Sequence, residues 1–175
     1  MKEKWNQNKL SIILLTFNSL LFILFLVYAI IGKEEIRENG KLVLLPLVPV
    51  DPRSMFQGDY MILNYDWSKF ESTSNVKKFR RGFLLFEIES GVIKPIRLSH
   101  EAVDSHNGLY SIKYFRSDYD FKIGAESYFF QEGQADLYSS AKFAGIKFLP
   151  NSTSGDKLLV GLYDESKSLI QPKLE

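Results

Sequence analysis

The chain has 175 residues, enough for one domain of ordinary size behind a membrane anchor. Its 22 Lys and Arg stand against 21 Asp and Glu, and a formal charge of +1 is too weak a field to neutralise a phosphate backbone, which excludes nucleic acid as a partner. The absence of cysteine excludes thiol catalysis, Cys-ligated zinc and disulfides, while 14 Phe and 9 Tyr favour strands, where flat rings pack on a pleated surface.

Residues 1–9 form a polar flank, and Leu10 to Ile31, reading LSIILLTFNSLLFILFLVYAII, then runs without a charge. At about 1.5 Å of rise per residue this stretch spans a hydrocarbon core of about 30 Å, so it is expected to cross the bilayer as a helix. A cleaved signal has a shorter apolar stretch with small residues at its exit, where this chain has Tyr28, Ile30 and Ile31. Asn18 and Ser19 sit mid-span, where an amide needs a partner; either this patch faces another helix or the Asn is simply tolerated. Lys2, Lys4 and Lys9 before the span balance Lys33, Arg37 and Lys41 after it. The short flank with its free α-amine favours an inside N-terminus and an extracytoplasmic domain.

Residues 32–40 read as a charged stalk ending in an Asn-Gly turn, and 41–164 as the folded domain. After KLVLLPLVPV, strand-like runs cover Tyr60–Asp66, Phe83–Glu89, Val92–Leu98, Leu109–Phe115, Glu126–Phe130, Gly145–Leu149 and Leu158–Tyr163, separated by Gly, Pro, Asn, Asp and Ser. Ser90-Gly91 has the form of a two-residue hairpin turn, and Gln134 to Lys142 that of a short helix. The expected fold is mainly β, a sandwich or small barrel of seven or eight short strands with one short helix, carried on an N-terminal transmembrane helix. The polar tail, residues 165–175, is expected to fray.

The most distinctive segment is Val50-Asp51-Pro52-Arg53-Ser54-Met55-Phe56-Gln57-Gly58-Asp59-Tyr60-Met61-Ile62-Leu63-Asn64-Tyr65. Gly58-Asp59 reads as a turn into a strand, after which Tyr60, Ile62 and Asn64 share one face and Met61, Leu63 and Tyr65 the other. Leu63 and Tyr65 are most simply core, and Gly58 serves the turn, whereas Asp59 and Tyr60 are as suited to contact as to structure. Arg53 is placed to pair with Asp59 or Glu132. The segment contains G-D-Y-x-x-L-x-Y without a mismatch, and Tyr128-Phe129-Phe130-Gln131-Glu132-Gly133 follows downstream. Both resemble the bacterial membrane-protein family named after the GDYxxLxY motif, in which a span leads to a small domain opening with a DPR-like segment; Gln131 replaces an expected Pro. The resemblance implies a single-pass protein of the bacterial inner membrane, encoded beside or fused to multi-spanning proteins, and implies no chemistry.

The chemistry-bearing residues form no recognisable catalytic motif. His100 and His106 lack the second ligand that a zinc helix supplies, Ser117-Asp118-Tyr119-Asp120 is no calcium loop, and no Gly-rich phosphate loop occurs, so no metal and no cofactor is expected. Ser54 with Lys77 or Lys78 superficially resembles a signal-peptidase-like serine/lysine hydrolase, but the spacing is short, the Pro after Ser-Met is missing and the lysines lie in a basic run. The expected function is a non-enzymatic accessory or assembly subunit docking on a multi-spanning membrane protein and in contact with membrane lipid. Its candidate contacts are Asp51, Arg53, Gly58, Asp59, Tyr60, Leu63, Tyr65, Tyr128, Glu132 and Gly133, with Asn18 and Ser19 inside the bilayer. The alternatives are the hydrolase and a lipid- or cell-wall-binding module with an aromatic groove of Tyr60, Tyr128 and Phe129.

Overall fold

The computed structural model describes residues 2–48, 60–67, 80–103, 105, 108–116 and 121–172, which fall into two compact units, Met1–Glu35 and Ile36–Glu175. Helix α1 (Lys2–Asn39) makes up the first unit and its last turn opens the second. Its stretch from Ser11 onward is long and apolar enough to cross a membrane, a property that an N-terminal signal sequence shares. Within it the Thr16 hydroxyl donates back to the carbonyls of Ile12 and Ile13, at 3.1 and 2.9 Å, so that this polar group is satisfied inside the helix. Lys33 to Asn39 is also helical. The helix stops at Gly40, whose N–H donates to Ile36 O at 3.0 Å and where a Cβ would collide with that carbonyl.

The second unit begins with Ile36, which is buried, and carries the strands β1 (Lys41–Pro46), β2 (Tyr60–Ile62), β3 (Arg81–Glu89), β4 (Val92–Ser99), β5 (Tyr110–Arg116), β6 (Phe121–Lys122), β7 (Ser127–Phe129), β8 (Phe143–Phe148) and β9 (Lys157–Tyr163). A one-turn helix, α2 (Ala135–Tyr138), lies within the span expected to be helical. Seven strands form one open sheet in the order β6-β5-β3-β4-β1-β8-β9, and β2 pairs with β7 in a separate ribbon. The fold is thus mainly β, and of the two architectures expected it is closer to the barrel: a half-barrel of nine strands among the described residues. Every expected strand run contains or overlaps an observed strand. β6 is additional, and its two residues are too few to leave an alternating pattern.

The β3–β4 hairpin turns at Ser90-Gly91, with φ of 52° and 81°. Two positive φ values in succession define the type I′ turn that matches strand twist, and Gly91 takes its share without a steric cost. One face of the sheet supplies Val43, Leu45, Leu84, Phe86, Ile112, Tyr114, Ala144, Ile146 and Phe148 to a core that Met61, Leu63, Tyr65, Ile123 and Tyr138 complete.

For residues 165–172 the expectation of a fraying tail is corrected. Lys167, with φ of 61°, reverses the chain, Leu169 bridges to Tyr163, and Ile170 N–H donates to Leu162 O at 2.9 Å while its side chain packs on the core. Two apolar residues in a polar stretch suffice to dock it against β9, because they bury surface that the strand edge would otherwise expose.

Candidate functional site

Burial along the motif strand alternates without interruption: Met61, Leu63 and Tyr65 are buried, while Tyr60, Ile62 and Asn64 are exposed. The partner of this strand is the second distinctive segment. Tyr60 lies opposite Phe129, Met61 opposite Tyr128 and Ile62 opposite Ser127, and Leu63 N–H extends the ladder to Glu126 O at 2.7 Å. On its other side the strand holds the end of β1, through a Leu47–Tyr65 bridge, Val48 N–H to Asn64 O at 2.8 Å and Asp66 N–H to Pro46 O at 2.9 Å. The motif therefore clamps the β1 end to the β7 segment.

Tyr65 is the pin of this clamp. Its hydroxyl donates to the Ala125 carbonyl in the interior. That carbonyl is held in place by a turn in which the Glu126 carboxylate accepts the N–H groups of Ile123, at 2.5 Å, and Gly124, at 3.0 Å. Burial, reinforced by the Glu126 charge, raises the Tyr65 phenol far above the usual tyrosine range, so it stays a neutral donor. Its ring neighbours Trp67, which meets Phe121 edge-on at 4.8 Å.

The expected aromatic groove of Tyr60, Tyr128 and Phe129 is corrected by the pleat, which sends adjacent residues to opposite faces. Tyr128 faces the core and packs on Tyr138 at 5.1 Å, and burial together with Tyr138 pushes its hydroxyl up to about 12. Tyr60 and Phe129 face outward, their rings 5.7 Å apart, and with Ile62 they form an apolar patch in which Phe129 is 73% and Ile62 56% exposed. Glu132 and Gly133 lie in the exposed turn after β7, where Gly133 has φ of 82°. Asn18 and Ser19 are exposed on α1. Asp51, Arg53, Gly58 and Asp59 lie outside the described residues, as do Ser54, Lys77, Lys78 and His106.

A cleft of about 660 Å³ opens beside Tyr65, Asp66 and Trp67, between Leu45-Pro46 of β1 and Val92 to Pro95 of β4. The cause is covalent. β1 and β4 run parallel with one register pair, Leu44 opposite Val92, and Leu44 N–H donates to Gly91 O at 2.9 Å. In a parallel ladder the next donors are two residues further along, at Pro46 on β1 and, after Ile93, at Pro95 on β4, and neither has an N–H. The strands part there, and Pro46 O accepts from Asp66 instead. Sequence reading missed this cleft and Trp67; the two prolines were its signal, but only once the register of β1 on β4 is known.

Among the described residues no three His, Asp or Glu side chains gather as a metal site requires. Residues 22–162 match the family described as GDYXXLXY protein. The chain belongs to that family. No curated protein and no solved structure matches it. In this GDYXXLXY protein the letters of the motif divide by face: Leu63 and Tyr65 are consumed by the core and the clamp, whereas Tyr60 is spent on the surface.

Proposed function

We propose that this protein is a non-enzymatic accessory or assembly subunit of a bacterial membrane complex, held in the inner membrane by α1 and docked on a multi-spanning partner, with its half-barrel outside the cytoplasm. The observation that carries this reading is the outward patch of Tyr60, Ile62 and Phe129. Packing does not require large apolar side chains there, and neighbouring exposed aromatics on two paired motif segments are what a protein contact uses as anchors. The mid-span Asn18 supports the same reading, since an amide in lipid gains from a second helix. Purification from the native host in a mild detergent, followed by mass spectrometry, tests it. A multi-spanning protein at near-equal amount is expected, and recovery of the chain as a lone monomer overturns the reading.

A further inference from the structure

A second cleft, of about 650 Å³, lies at the start of β3, lined by Arg81, Phe83, His100, Lys113, Phe115 and Ile123 together with Gly82 and Tyr114. Its lining holds three basic side chains and no carboxylate among the described residues. The register explains how these meet. Arg81 pairs with Phe115 and Phe83 with Lys113, so on successive same-face rungs a cation stands beside an aromatic ring in alternating order. Lys113 Nζ is 3.0 Å from Asp156 Oδ1, which balances that charge, and Lys157 Nζ reaches the Lys113 carbonyl at 2.8 Å and brings another cation. The adjoining rung adds Lys122, which lies opposite Phe115.

A site that sets cations beside aromatic rings on one face suits a ligand with both an acidic head and an apolar body. The chain carries a helix able to cross a membrane, which tethers the domain where such molecules are concentrated. We propose that this cleft binds an anionic phospholipid, with Arg81 on the headgroup phosphate and Phe83 and Phe115 against the acyl chain. Exposed Phe115, at 42%, and exposed Arg81 are then contact groups. The proposal is independent of the partner-docking patch, which lies on the β2–β7 ribbon.

The test is lipid retention by the full chain in a mild non-ionic detergent, measured by native mass spectrometry with dioctanoyl-phosphatidylglycerol, dioctanoyl-phosphatidylcholine and inorganic phosphate. Phosphatidylglycerol is expected to bind about tenfold more tightly, because the choline cation of the other lipid meets the same basic cluster. Arg81→Gln should erase that preference and Arg81→Lys retain most of it. Phe115→Ser should weaken both lipids, and Lys94→Gln, in the other cleft, should change neither. Equal binding of the two lipids, an unchanged preference in a folded Arg81→Gln protein, or displacement of the lipid by an equal concentration of inorganic phosphate would overturn the proposal.

Discussion

The two faces of the motif strand have the same length, yet they meet different surroundings. The inner face of Met61, Leu63 and Tyr65 is buried and bonded, tying β1 to the β7 segment. The outer face of Tyr60 and Ile62 joins Phe129 in a patch left to solvent in the chain by itself. A short motif can thus present a core face and a surface face at once, because the strand period of two separates them cleanly. The difference also says which substitutions should damage stability and which should damage assembly.

The comparison breaks first if the inner face proves dispensable. Leu63→Ala removes a fully enclosed side chain and should lower unfolding stability by about 2–5 kcal/mol, seen as a shifted denaturant midpoint. A loss under about 1 kcal/mol, small beside that range for core truncation, would mean that the clamp carries little of the fold. Tyr65→Phe keeps the ring and should cost about 1 kcal/mol, since it leaves the Ala125 carbonyl without its donor. The same phenol gives a pH signature. Its folded pKa is raised above the unfolded value near 10, so its contribution is full below about pH 10 and falls as pH rises past it. Tyr65→Phe should flatten that alkaline decline, and thermal unfolding followed between pH 9 and pH 11 would sharpen the assignment of the range to this residue.

On the outer face the expected stability effect is within about 0.5 kcal/mol, as for ordinary surface positions, while the assembly effect is large. A Tyr60→Ser, Phe129→Ser double variant should fold normally and lose the membrane partner proposed above; retention of that partner would sink the docking patch. The smallest effect is expected at Ser54. Ser54→Ala should leave complementation of a deletion strain intact, and loss of complementation would revive the serine/lysine hydrolase.

Much of the fold is legible because strands announce themselves locally. The alternation from Tyr60 to Tyr65 assigns Leu63 and Tyr65 to the core, and Ser90-Gly91 marks its hairpin from two residues. What stays hidden is register between distant segments. Nothing near Tyr60 says that Phe129 lies opposite, and nothing near Pro46 says that Pro95 deletes the adjacent rung. The aromatic groove failed for the same reason at short range, since Tyr128 and Phe129 are neighbours in sequence and antagonists on the sheet. Of the basic cleft, Arg81 and Phe83 lie together on β3, whereas Lys113 and Phe115 come from β5 and join them only through the pairing of the two strands.

The position of β1 in the sheet bears on how the domain is made. The first strand of the chain is an interior one, hydrogen-bonded to β4 on one side and to β8 on the other, with Lys41 opposite Phe148. During synthesis it emerges first and must wait for β8 to be translated before the ladder on that side can close. Until then the apolar run of Val43, Leu44 and Leu45 stays uncovered on that side, directly behind α1. Non-local closure of this kind is slow, so the newly made chain offers chaperones and proteases a window that closes only once β8 has been synthesised.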